Sequence, residues 1–268
     1  MTAASEPRLA AIQRFPVKSL SAETLDRVEL TAGAMLPNDR RFALVYGDPG
    51  RPGAAARFAT LREEPRLAEI GVAFEDAPVS PRYGELVLSR RGRPVARGLV
   101  TEPIGKTLID QFLLSFLGGR GRGAARLVEV EDPGAGVGFG DSGGGHVSLL
   151  NLASVRDLER VTRAPVDPRR FRANLWIEGL PAWVERDWVG REFALGPVGL
   201  RAVEEIERCS VTNVDPETAA VDMNLPLTLR RAYGHLNCGL YCRVTVGGTL
   251  EPGMALSPPE AVPGVAEA

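Results

Sequence analysis

The chain has 268 residues and a formal net charge of -2, with Lys+Arg 32 against Asp+Glu 34. That balance excludes the basic surface that sequence-independent binding of nucleic acid requires. At 44% hydrophobic and 6% aromatic, the composition is that of a globular protein with its own core. At roughly 150 residues per domain there is room for one large domain or two small ones without disulfide or metal staples.

Short apolar or alternating runs bounded by turn residues fill the first hundred positions: LAAIQRF, LDRVEL, RRFALVY, ELVLSR and PVARGLV. They predict strands, with turns at Pro37-Asn38-Asp39, Asp48-Pro49-Gly50, Pro52-Gly53 and Gly92. KTLIDQFLLSFLG predicts the first helix. Leu108, Ile109, Phe112, Leu113 and Phe116 share one of its faces, and Gly118-Gly119 ends it. RGRGAA is expected as a linker, RLVEVED as a strand and the glycine-rich stretch 134–145 as a surface loop. A second helix follows, in which Ser154 and Asp157 have the spacing of a capping box and Val155, Leu158 and Val161 share a face. Strands are expected again at FRANLWI, EFALGPVGLRAVEEI, CSVTNV and GLYCRVTV, and a disordered tail over 257–268. Gly 30 and Pro 21, about a fifth of the chain, suit many short elements joined by tight turns. The fold class expected is mainly β (α+β), with two β-rich domains at 1–120 and 121–256.

Some local matches lack their context. Gly138, Gly140 and Gly143 fit GxGxxG, but no strand runs straight into them, as a dinucleotide site requires. Gly105-Lys106-Thr107 follows its nearest earlier glycine, Gly98, by six residues where a phosphate loop has four. Cys238 and Cys242 with His146 and His235 do not make a zinc pattern. The three cysteines, Cys209, Cys238 and Cys242, are odd in number and clustered late, so a reducing, cytoplasmic location is expected. No apolar run reaches the ~18 residues of a membrane span.

The specific signal lies in ordered motifs. RFPVKSL at 14–20, PNDRRFALVY at 37–46 and FATLREEPRL at 58–67 are followed by LLNLASVRDLERV, FRANLWIEG, ERCSVTNVDPET, LTLRRA and NCGLYCRVTVGGTLEPG. Together they resemble the MOSC family, the molybdenum-cofactor-sulfurase C-terminal domain proteins: a MOSC N-terminal β-barrel followed by a MOSC β-barrel with a few helices. In layout the chain is similar to the amidoxime-reducing members of that family.

The resemblance implies a molybdenum cofactor (Mo-molybdopterin), not pyridoxal phosphate, with Cys209 as the metal ligand. A thiolate is the polarisable anionic donor that a metal cycling between oxidation states favours. Arg208 would supply positive charge beside it. Lys18 and Ser19 offer an ammonium and a hydroxyl to the cofactor's phosphate, and Arg40 a second clamp, its alternative being an ion pair with Asp39. Arg172 and Asn174, two apart in an expected strand, would share a face and read the pterin edge. Asn151 and Ser154 open the second helix, where free N–H groups favour an anion, although capping alone also accounts for Ser154. Asp215 is a possible proton source and equally a turn former. The family's Asp-Pro-x-Thr-Gly turn reads Asp215-Pro216-Glu217-Thr218-Ala219 here, and Gly253-Met254 stands where relatives have Gly-Asp.

The implied activity is two-electron reduction of N-hydroxylated or N-oxide substrates. The chain lacks the four cysteines of a ferredoxin-type iron–sulfur module, so the electrons are expected from a separate ferredoxin- or cytochrome-like protein, and the chain itself is expected as a monomer. The rival reading is a cofactor carrier or sulfur-transfer protein. A cofactor-free scaffold is a third.

Overall fold

The computed structural model describes residues 6–46, 57–77, 80–100, 102–118, 125–130, 138–140 and 145–260. The expected turns at 48–53, the linker up to residue 124, Gly143 and the tail beyond 260 lie outside the described residues. The described residues are mainly β with three α-helices. In order along the chain come β1 (Arg8–Arg14), β2 (Glu23–Leu25), β3 (Val28–Leu30), β4 (Phe42–Tyr46), β5 (Arg57–Phe58), β6 (Ile70–Ala77), β7 (Ser80–Arg90) and β8 (Arg93–Leu99). They are followed by α1 (Pro103–Leu117), β9 (Ala125–Glu129), β10 (Val147–Asn151), α2 (Leu152–Thr162), β11 (Leu175–Glu178) and β12 (Glu192–Leu195). The chain continues through β13 (Val198–Glu207), α3 (Leu225–Tyr233), β14 (Asn237–Val246), β15 (Gly248–Leu250) and β16 (Leu256–Ser257).

Helix α1 forms where the periodicity predicts. Ile109, Leu113, Phe116 and Leu117 are its buried stripe, and Gly118 ends it at φ +72°, a conformation only glycine adopts without strain. Helix α2 forms too, but its cap is Asn151, whose side chain accepts from the Ala153 N–H. Ser154 lies inside the first turn and is fully buried. Two expected strands are not strands at those positions. CSVTNV winds into a 3-10 turn at Ser210–Asn213. FRANLWI begins as a 3-10 turn, Pro168–Phe171, and Arg172 closes it at φ +51°, so pairing starts only at Leu175. Helix α3 was not foreseen. Asn224 caps it and Leu225 and Leu229 are its buried contacts.

An eight-stranded sheet, in the order β16-β12-β13-β14-β10-β11-β1-β2, dominates the molecule. β1 lies antiparallel to β11, with Ile12 opposite Leu175, while β10 and β11 run parallel. Two three-stranded sheets, β5-β4-β9 and β6-β7-β8, and the pair β15-β3 complete the framework. These pairings cross residue 120. β1 and β3 pair with strands of the second half, and β9 pairs with β4 of the first. One core fills the space among β4, β6, β7 and α1, including Leu44, Leu86 and Leu113. Another joins Leu9 and Ile12 to Leu149, Leu175, Leu200 and Leu240 of the large sheet.

Candidate functional site

Where these two bodies meet, a cleft of about 710 Å³ opens. One wall comes from early segments: Lys18 and Ser19 in the loop after β1, Asp39 and Arg40 before β4, and Phe58 to Glu63 after β5. The other comes from Arg170, Arg172 and Asn174 before β11, His146 and Ser148 around the start of β10, the end of β13 and the Arg208, Cys209 and Thr212 segment after it, and Tyr241 on β14. Among the described residues, seven lysine and arginine side chains line it against three acidic ones. A near-neutral chain thereby presents a local field suited to an anion.

The sequence-predicted residues divide clearly. Lys18, Ser19, Arg40, Arg172, Asn174, Arg208 and Cys209 all line this cleft. Ser19, Arg40 and Arg172 have positive φ, +72°, +50° and +51°. Non-glycine residues pay roughly 1–2 kcal/mol for that conformation, so their surroundings must hold them there. Those surroundings are visible. The Phe15 ring carries both guanidinium groups, Arg40 at 4.7 Å and Arg172 at 4.4 Å from its centroid. Arg40 donates to the Arg172 carbonyl at 2.8 Å, and Arg172 to the Leu20 carbonyl at 2.7 Å. Arg40 is also ion-paired with buried Asp39, which accepts from the Phe15 N–H. Lys18 Nζ reaches the Phe139 carbonyl at 3.1 Å and lies over the Phe58 ring. Asn174 is fixed inward, accepting from Ser148 and donating to the Gln13 carbonyl. Arg172 and Asn174 therefore do not share a strand face. Their placement comes from the left-handed turn before β11.

Cys209 is exposed, at the head of the 3-10 turn, its carbonyl accepting from Thr212. Cys238 and Cys242 are buried on β14, and burial pushes the Cys238 thiol up to about 12 and Cys242 higher still, as expected of inert core thiols. Arg208, 8% exposed, donates Nε to the Cys238 carbonyl at 2.7 Å and Nη1 to the Phe171 carbonyl at 2.8 Å. Its Nη2 is buried without a partner among the described residues. The room it occupies exists because residue 239 is glycine. A Cβ there would stand 2.5 Å from the Leu149 carbonyl oxygen and 3.0 Å from Arg208 Nη2, at φ +84°. Burial lowers the Arg208 pKa, the direction expected when a cation is held out of water.

Three predicted residues lie elsewhere. Asn151 and Ser154 are fully buried at the start of α2, and the group they meet is the chain's own Glu185 carboxyl. Asn151 Nδ2 and Ser154 Oγ donate to its two carboxylate oxygens at 2.8 and 2.7 Å. Burial raises the Glu185 pKa more than these bonds lower it. Asp215 is not part of the cleft lining. It ion-pairs with buried Arg170 at 3.1 Å. Burial pushes its pKa up, but the N–H groups of Thr218 and Glu217 outweigh that and hold the carboxyl below the ordinary aspartate value. In the same turn Ala219 stands at φ +59°, the conformation a glycine would supply. The loss of that glycine thus costs strain. Sequence reading missed Arg170, His146 and Tyr241 as cleft residues. For His146 the available signal was one of only two histidines placed immediately before an apolar strand.

Two family models account for most of the chain: the MOSC N-terminal beta barrel domain over residues 6–114 and the MOSC domain over residues 137–257. The chain belongs to the MOSC family. Among MOSC relatives, it is 26% identical over 244 residues to mitochondrial amidoxime reducing component 2 of Bos taurus, covering 82% of this chain and 70% of that one. It is 26% identical over 250 residues to the human mitochondrial amidoxime-reducing component 1, covering 84% and 71%. Molybdenum cofactor sulfurase of Caenorhabditis elegans is 27% identical over 264 residues, which is 94% of this chain but 36% of that protein. Among the described residues no helix is long and apolar enough to cross a membrane.

Proposed function

We propose that the cleft holds a molybdenum cofactor, with Cys209 as its protein ligand, and that the protein reduces N-hydroxylated or N-oxide compounds. The observation that carries this reading is the conjunction at residues 208 and 209: an exposed thiol beside a buried guanidinium whose Nη2 has no partner among the described residues. A buried, unsatisfied charged donor is costly, and an anionic group in the cleft would satisfy it. Among the described residues, no three His, Cys, Asp or Glu side chains converge on a metal position. Cys209 therefore suits a metal whose other donors arrive with an organic ligand. Lys18, Ser19 and Arg40 would hold the phosphate end, and Arg172 and Arg208 the polar edges of the pterin. When bound, that cofactor supplies two-electron chemistry at a metal centre. The protein's part is to fix its position, offer the thiolate and exclude bulk water between the two walls. Reducing equivalents would come from a separate electron-donor protein. The amidoxime-reducing relatives support this substrate class.

Cofactor-loaded protein with a chemical reductant is expected to convert a simple aromatic amidoxime into the amidine. Absence of turnover across a panel of amidoximes, hydroxylamines and N-oxides would overturn the reading. The near-complete alignment of this chain with the sulfurase relative favours a second reading, sulfur or cofactor carriage on Cys209. It would be supported by an added sulfur on that cysteine in intact-protein mass spectrometry.

A further inference from the structure

Removing an N-bound oxygen as water consumes two protons with two electrons, so the cleft needs a proton donor. Asp215, ion-paired outside the lining, does not face it. Most ionisable side chains that do are committed. Asp39 accepts from the Phe15 N–H and pairs with Arg40, Glu63 pairs with Arg57, and Lys18 donates to the Phe139 carbonyl. Guanidinium groups do not release protons in this range. Glu207 is exposed to water.

His146 differs. It lies immediately before β10, two residues from Ser148, so both point to one face of the sheet. Ser148 pairs directly with Tyr241, whose ring lies 6.2 Å from the imidazole. Two residues before Tyr241 is Gly239, against which Arg208 Nη2 packs. His146, Tyr241, Arg208 and Cys209 all line the one cleft. Within this lining His146 Nδ1 is buried with no hydrogen-bond partner among the described residues. A buried imidazole nitrogen left unpaired at the lining of a cleft is costly unless a ligand meets it. Imidazole is also the side chain that both gives and takes a proton near neutral pH.

We infer that His146 is a catalytic residue, the proton donor to the departing oxygen of an N-hydroxylated substrate. The inference rests on the reductase reading above. In the step assigned to it, the substrate N–O bond breaks as the two electrons arrive from the external reductant. The proton on His146 Nδ1 passes to the departing hydroxyl oxygen, which leaves as water. A second proton, from solvent, goes to nitrogen, and solvent reprotonates His146.

The test compares loaded wild type with His146→Gln and His146→Ala, using an aromatic amidoxime and a chemical reductant. The glutamine variant is expected to keep its molybdenum and its KM within a few-fold and to lose about 100-fold in kcat. Added imidazole is expected to restore turnover to His146→Ala. Independently of turnover, the amidoxime added to loaded wild type without reductant should move the 15N resonance of His146 and leave that of His235 in place. This second readout decides the matter if either variant fails to fold. Undiminished kcat in His146→Gln, or an unmoved His146 resonance, overturns the inference and leaves the reductase reading standing. Loss of molybdenum from a folded His146→Gln overturns it in favour of cofactor holding. Loaded wild type that reduces nothing overturns both.

Discussion

Arg208 illustrates how a residue beside a proposed ligand can be fixed by the backbone rather than by a counter-charge. Its guanidinium is held by the carbonyls of Cys238 and Phe171 and seated against Gly239. Replacing it by methionine keeps the bulk but strands two buried carbonyls, at about 1–3 kcal/mol each. Arg208→Met is therefore expected to lower the urea unfolding midpoint clearly, and a midpoint equal to wild type would show that the guanidinium is not anchored as described. The identities of Cys209, Arg208, Lys18 and Arg40 were legible because they sit inside ordered family motifs. The geometry of Arg172 was not. Its left-handed φ comes from the turn that precedes β11 and from stacking on Phe15, and alternation along FRANLWI carries no trace of either. His146 escaped because its meaning depends on Tyr241 and Arg208, brought beside it only by the pairing of β10 with β14.

At the scale of elements, the position at the start of α2 expected to face a ligand is met from inside the chain. Asn151 and Ser154 were read as facing a ligand because helix N-termini favour anions. The group they meet is instead the Glu185 carboxyl, held by their side chains rather than by the helix N–H groups, more than thirty positions away and invisible to local spacing. The burial of Glu185 has a pH consequence. Its folded pKa lies above the ordinary 4.5, so the folded state binds the proton more tightly than the unfolded chain does. The stability it contributes is complete below that ordinary value and is lost as pH rises through the raised pKa. Unfolding midpoints of wild type and Glu185→Gln measured between roughly pH 4 and pH 9 should diverge, wild type declining relative to the variant as pH rises. Parallel profiles would mean that Glu185 titrates like an exposed carboxyl. The helix itself, by contrast, was predictable from its apolar spacing, as was α1, because each packs a single regular face.

For the whole molecule, the strand-rich character follows from the short runs and frequent turn residues. The interleaving does not. β1 is the first strand in sequence and yet pairs with β11 inside the large sheet, where Leu9 and Ile12 are fully buried. Such long-range pairing is chosen by packing, not by local sequence. A fragment of residues 121–268 would expose the β11 edge and lack Leu9, Ile12, Val28 and Leu30 from its core, so it is expected to be unfolded by circular dichroism. A fragment with native-like, cooperative unfolding would contradict this account of the sheet. The same interleaving places residues from both ends of the chain around one cationic cleft, which is where the functional reading lives. Its central claim, that Cys209 ligates molybdenum there, is tested most directly by X-ray absorption at the molybdenum edge in cofactor-loaded wild type and Cys209→Ala. The account predicts one sulfur neighbour fewer in the variant, and an unchanged sulfur count, or wild type that takes up no molybdenum, would contradict it.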